Sequence, residues 1–234
     1  MSRPLRLMIY DRTCTGDLVP AFARRGGSGL MGRVRAGMGA LFERVPGPGL
    51  SHAWAAGGGL YSLLRRLDDF KGFDDWESAL RWVAEYPGDR PIRELQFWGH
   101  GKWGCANIGY AELGADAVET EHRHHAGLAA IRDRMKGQDA LVWFRTCETF
   151  GAEAGHRFAT DWSEFFDCRI AGHTYVIGPW QSGLHSLGPG QTPDWSTSEG
   201  IEEGTPEHPR SALWSTRRSP NTITFLRGSI PAGY

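Results

Sequence analysis

Ile92-Arg93-Glu94-Leu95-Gln96-Phe97-Trp98-Gly99-His100-Gly101 and Ala140-Leu141-Val142-Trp143-Phe144-Arg145-Thr146-Cys147 are the two stretches on which the fold turns. In the first, apolar and polar residues alternate toward a glycine, the pattern of a strand running into a turn. The second is a continuous apolar run, the pattern of a strand buried on both faces. Between them Leu128, Ile131 and Met135 recur at helical spacing, and Gly137 supplies the stop. Strand, helix and strand joined by short connections call for two parallel strands and a right-handed crossover. His100 and Cys147 then stand at neighbouring carboxyl ends, the edge at which such sheets bind ligands.

Working outward, Leu5-Arg6-Leu7-Met8-Ile9-Tyr10 reads as a further buried strand, and Asp11 opens the loop after it. Leu30, Val34, Met38, Leu41 and Val45 keep helical spacing in a stretch with Arg24, Arg25, Arg33 and Arg35. This is a glycine-containing basic amphipathic helix, read as an ordinary helix whose arginines form a solvated face in preference to a lid or a surface that meets acidic groups. Leu60, Leu64 and Leu67 indicate a short helix, and no strand pattern stands out between Leu60 and Asp75. Asp74-Asp75-Trp76-Glu77 reads as a capped helix start, with Trp76, Leu80 and Val83 on one face and Pro87-Gly88 as the end. Beyond Cys147, the spacing of Ala154, Phe158, Trp162 and Phe165 predicts a helix, and Arg169 to Ile177 the next strand. The remainder, 179–234, is loop-rich, with a last strand at Thr222 to Leu226. The expectation is one α/β domain over 1–234, its core at about 5–178, built as a three-layer sandwich around a mostly parallel sheet.

A net charge of −1 over 234 residues gives no basis for nucleic acid as a partner. No stretch has the length of a membrane span, and the amino-terminal residues lack the apolar run and small-residue site of a signal peptide. Cys14, Cys105, Cys147 and Cys168 form no CxxC pair and are too scattered for a disulfide framework. A cytoplasmic, reducing setting follows as the expectation. Glu121-His122-Arg123-His124-His125 lacks the spacing of a tetrahedral metal site and reads as surface histidines, while His173 and His185 flank the last core strand and read equally as groups approaching the pocket or as a core and a loop histidine. No metal and no cofactor is called for, and nothing sets an oligomeric state.

A cysteine attacks as its thiolate, so a nucleophilic cysteine wants a basic neighbour and an accessible position. Cys147 beside His100 meets that need. Gly101 lets its N–H approach a substrate carbonyl with no Cβ in the way, and with the N–H of Cys147 it makes a candidate oxyanion hole. Asp11, at the same sheet edge, is a candidate to bind substrate or to orient His100, and equally a loop starter.

The segment Phe97-Trp98-Gly99-His100-Gly101-Lys102-Trp103-Gly104, with a hairpin-like stretch from Cys105 to Val118, resembles the histidine–glycine turn of caspase-like cysteine peptidases, the group that includes gingipain, legumain and separase. Thr146-Cys147-Glu148-Thr149-Phe150-Gly151-Ala152-Glu153-Ala154-Gly155 and the run to Gly172 resemble the cysteine strand end, helix and next strand of such domains in bacterial proteins. The resemblance spans roughly 92–178 and implies a cysteine endopeptidase acting on a peptide or protein. His100 would serve as acid and base and Cys147 as nucleophile, and no cofactor would be needed. It also implies that Trp180, Gln181 and Ser182, after the strand beyond the cysteine, contact substrate. The alternative is a non-catalytic binding or regulatory module that keeps the pocket. Another hydrolase is disfavoured by the absence of a GxSxG elbow and of a phosphate-binding glycine loop.

Overall fold

In the computed structural model, which describes residues 3–15, 49–135 and 139–234, the two decisive stretches lie side by side as parallel strands. Strands β1 (Leu5–Asp11), β2 (Asp69–Phe73) and β3 (Ile92–Trp98) are followed by a small antiparallel sheet of β4 (His100–Lys102), β5 (Cys105–Ile108) and β6 (Ala111–Gly114). Then come β7 (Leu141–Arg145), β8 (Arg169–His173), β9 (Trp180–Gln181), β10 (Leu184–Leu187), β11 (Ile201–Gly204), β12 (Pro209–Ala212) and β13 (Ile223–Thr224). The central sheet has six strands in the order β10-β8-β7-β3-β1-β2. All its pairings are parallel except β10 on β8.

Four α-helices are described: α1 (Leu50–Leu63), α2 (Trp76–Ala84), α3 (His125–Arg132) and α4 (Ala152–Phe166). Because side chains alternate across a strand, Leu7, Ile9, Leu95, Phe97, Val142, Phe144 and Ile170 share one face. Against them pack Trp76, Leu80 and Val83 of α2, Leu128 and Ile131 of α3, and Phe158, Trp162 and Phe166 of α4. Phe144 sits at the centre, its ring edge-on to Phe158 and Trp162 at centroid distances of 4.9 and 5.0 Å. The opposite face carries Met8 and Trp98 with Tyr61 of α1 in one cluster, and Trp143, Ala171 and Ile223 in another. Helices thus cover one face, and α1 with the carboxyl-terminal segment covers the other, giving an α/β domain with a mixed, mostly parallel sheet.

Local chemistry accounts for several boundaries. The Asp75 carboxylate accepts the Ser78 N–H at 2.7 Å and caps α2, as Asp74-Asp75-Trp76-Glu77 predicts. Past the end of α2, the Arg134 guanidinium donates to the carbonyls of Val83, Ala84, Tyr86, Gly88 and Arg90 and so fixes the turn into β3.

Four expectations are corrected. A strand does occupy the interval after Leu60: β2 pairs in register with β1, Leu7 opposite Asp69 through Asp11 opposite Phe73. Its Asp69, Lys71 and Gly72 suit a sheet edge and mask the apolar pattern. The helix near Leu60 begins at Leu50; Leu63 and Leu64 are exposed, and Leu67 is buried in the turn beyond it. The glycines inside α1 have a packing reason, since a Cβ on Gly57 would lie 2.5 Å from the Trp98 ring and one on Gly58 2.5 Å from Phe70. The segment after 179 contributes an edge strand of the main sheet, β10, and a two-stranded ribbon, β11–β12, while its last strand is the short β13 paired with β9. The strand after α4 stops at His173, short of Ile177. The arginine-rich helix expected around Leu30 to Val45, and Gly137, lie outside the described residues. Among the described residues no helix is long and apolar enough to cross a membrane.

Replacing Phe144 by alanine removes the ring that joins α4 to the sheet and should cost about 3–5 kcal/mol in urea unfolding; a loss under about 1 kcal/mol would contradict its placement at the centre of the core.

Candidate functional site

Trp98 and Arg145 pair across the β3–β7 ladder, and His100 and Cys147 lie two residues beyond each. Register alone therefore brings both to the same level at the carboxyl edge. Both line one cavity of about 590 Å³, walled by Trp54 and Leu60 of α1, by Ile177 and Pro179, and by Phe225. The edge of the Trp54 ring meets the His100 ring at a centroid distance of 5.4 Å. Cys147 is partly accessible, and its Sγ accepts the Ile177 N–H at 3.4 Å.

The histidine turn and the cysteine loop are laced together. An added Cβ on Gly101 would lie 2.5 Å from Thr149 Oγ1 and 2.7 Å from both the Cys147 carbonyl oxygen and Thr146 Cβ, so glycine is required by close approach. The Gly104 N–H donates to the Thr149 carbonyl at 3.1 Å, and the Thr149 hydroxyl donates to the Cys105 carbonyl at 3.1 Å. Lys102, just after the turn, reaches to within 3.8 Å of the buried carboxylate of Glu148, just after the cysteine. Glu148 holds a φ of 60°, a left-handed conformation uncommon for a residue with a side chain. Backbone outliers of this kind concentrate at functional sites.

The other expected residues divide. Gln181 lines the cavity. Trp180 is half-exposed on β9, outside the lining. Ser182 is fully buried and shares a hydrogen bond with Thr222 at 2.7 Å while its N–H donates to Ser215 Oγ, so its role is to anchor the loop. Asp11 is also fully buried and apart from the cavity lining; it accepts from the N–H and hydroxyl of Thr13 at 2.8 and 2.7 Å, the contacts of a loop starter. In the 121–125 cluster His124 is buried instead of lying at the surface, and His125 Nδ1 pairs with the Val118 carbonyl. Among the described residues no three histidine, cysteine or acidic side chains converge to hold a metal.

Arg145 also belongs to the site. Its guanidinium is buried in the cavity floor, donates to Gln181 Oε1 from Nε and Nη2 at 3.1 and 2.7 Å, to Tyr61 Oη at 2.7 Å and to the Phe225 carbonyl at 2.9 Å. It lies between the rings of Trp98 and Trp143, 4.6 Å from each centroid. The available signal was a single cation ending an otherwise apolar strand, two residues before the cysteine. His173, on the same face of the sheet, is fully buried; its Nδ1–H donates to the Ser182 carbonyl at 3.1 Å, and burial pushes the imidazole down to about 3. Cys105 and Cys168 are pushed up, to about 11 and about 12, also by burial.

Comparison of the chain with protein-family models, curated proteins and solved structures gives no match.

Two outcomes follow from this geometry. Gly101→Ala should lower stability by about 1–3 kcal/mol through overpacking and should slow alkylation of Cys147, measured by mass spectrometry; unchanged values for both would refute the close approach. For His173, the folded protein binds fewer protons than the unfolded chain between about pH 6.5, the unperturbed value, and about pH 3. Stability is therefore complete above the upper limit and falls with acid inside the window, by up to about 1.4 kcal/mol per pH unit. His173→Gln should flatten that limb in denaturant titrations at several pH values, and an unaltered slope would remove His173 as its source.

Proposed function

We propose that this protein is a caspase-like cysteine endopeptidase in which His100 and Cys147 form the catalytic pair. The observation that carries the reading is that these two residues, from different strand ends, line one cavity at the carboxyl edge of a parallel sheet. Further support comes from the hydrogen bond received by Cys147 Sγ, from the cationic Arg145 in the same cavity, and from the left-handed backbone beside the nucleophile.

In this reading the Cys147 thiolate adds to the carbonyl carbon of a peptide bond, and the oxygen's developing charge is met by the N–H groups of Gly101 and Cys147. The C–N bond breaks as His100 passes a proton to the leaving amine. The thioester is then hydrolysed by water whose proton His100 takes up, which frees the carboxylate product and restores the thiolate. No metal or cofactor enters these steps. Lys102 and Glu148 act on position only, holding the two loops at their spacing.

The test is labelling by a small cysteine-directed electrophile across pH, located by mass spectrometry. Cys147 should react at least ten times faster than Cys14 near neutral pH and lose that advantage in His100→Ala, whereas Cys105 and Cys168 should stay silent. A Cys147 that reacts no faster than Cys14 would overturn the peptidase reading in favour of a binding module.

A further inference from the structure

We infer that the outer face of α1, together with the exposed chain beside β9 and β13, is a docking surface for an anionic lipid leaflet, on which the protein rests without crossing it. The inference is independent of the reading of His100 and Cys147.

From Leu50 to Leu63, α1 contains no aspartate, glutamate, lysine or arginine. A helix at the surface of a domain ordinarily carries charge on the side away from the core, and a helix that is apolar all round is ordinarily buried. α1 fits neither case. Gly58 and Tyr61 are buried toward Phe70, Met8 and Trp98. On its other side Ala53, Ala56 and Leu63 are exposed, as is Leu64 just past the end. Leu63 and Leu64 stand 79 % and 50 % open to solvent.

The apolar surface continues onto the carboxyl-terminal segment. The Tyr61 hydroxyl reaches the carbonyls of Phe225 and Arg227, and the Arg66 guanidinium donates to the Leu226 carbonyl, so this chain lies along the end of α1. Thr224 pairs with Trp180, and the Phe225 N–H donates to the Pro179 carbonyl at 3.1 Å. Trp180, Phe225 and Leu226 are themselves exposed. Five of the seven large apolar side chains exposed among the described residues therefore gather here, the others being Tyr110 and Leu213. Single exposed leucines are ordinary, but a gathering of this kind marks a contact surface.

Charge at the rim identifies what covers it. Arg65 and Arg66 follow α1, Arg227 follows Leu226, and the Arg3 guanidinium donates to the Arg65 carbonyl at 3.4 Å. Asp68, the nearby acid, is taken up by Arg6 and Arg90. Arg3, Arg65, Arg66 and Arg227 have no carboxylate at ion-pair distance among the described residues. Leucine and aromatic side chains bordered by unpaired guanidinium groups match acyl chains bordered by anionic headgroups. A tryptophan at the edge suits the boundary between the two. Protein partners are a poorer match. Their interfaces carry about ten hydrogen bonds, whereas the exposed alanines and leucine of α1 have no side-chain donor or acceptor to give, and a second copy would add cations of the same sign.

The test is flotation of the full chain through a density gradient with vesicles of phosphatidylcholine alone, or of phosphatidylcholine and phosphatidylglycerol in equal parts. At least ten times more protein should float with the anionic vesicles, and high salt should release most of it. The pair Leu63→Glu and Leu64→Glu should cut flotation at least tenfold. So should Arg65→Glu with Arg227→Glu, since each cation near the leaflet is worth roughly fivefold in partition. Tyr110→Glu, on the turn between β5 and β6, should leave flotation unchanged, and thermal melting checks that every variant is folded. Absence of flotation, equal flotation with neutral vesicles, or binding that the leucine pair leaves intact overturns the inference. A dimer in sedimentation that the leucine pair dissociates, with nothing floating, assigns the face to a second copy instead.

Discussion

The burial of a single cation organises one whole side of this domain. Taking a guanidinium out of water costs several kcal/mol unless hydrogen bonds replace its hydration. Arg145, at the end of β7, recovers them from four directions: Tyr61 on α1, Gln181 on β9, the Phe225 carbonyl beyond β13, and the rings of Trp98 and Trp143 on the sheet beneath. Each bond to a charged donor contributes roughly 1.5–3 kcal/mol, so the four hydrogen bonds, two of them to Gln181, are together of the size needed to hold the charge in place. Tyr61 in turn donates toward the carbonyls of Phe225 and Arg227. The layer on this face, made of one helix and a carboxyl-terminal segment with little regular structure, is thereby tied to the sheet by polar bonds where the other face relies on aromatic packing.

That asymmetry is what makes room for a cavity. On the opposite face, phenylalanine and tryptophan rings from α2 and α4, with Leu128 and Ile131 of α3, fill the space against the sheet. On the Arg145 face the apolar contacts split into two separate clusters, one under α1 and one under the carboxyl-terminal segment, and the guanidinium lies between them. The cavity opens above this division, at the strand ends. Its mouth is set by two loops packed so closely that Gly101 has no room for a methyl group. The positions of His100 and Cys147 are consequently a property of the sheet register and of that packed contact.

The elements legible in the sequence were those governed by a single local rule. The alternation in β3, the apolar run of β7, the aspartate cap of α2 and the periodic faces of α2, α3 and α4 all follow from near neighbours, and the structure forms each of them. The elements that escaped are those whose composition answers to a distant partner. β2 carries charge and glycine because it is an edge, and α1 tolerates glycines because Trp98 and Phe70 press against them. β10 is recognisable only by its antiparallel pairing with β8.

The sequence by itself determined that two strands lead into His100 and Cys147, that one crossover separates those strands, and that the two residues therefore share an edge. These are consequences of short-range periodicity and of the handedness of strand connections. Only the tertiary structure decided what surrounds that pair. Asp11 and Ser182, placed near the edge by sequence, turn their polar atoms to their own loops, whereas Arg145 and Tyr61, unremarkable in sequence, meet beneath the cavity from positions 84 residues apart. The reason is physical: whether a polar side chain faces a ligand depends on which protein groups have already taken its hydrogen bonds, and those partners come from anywhere along the chain.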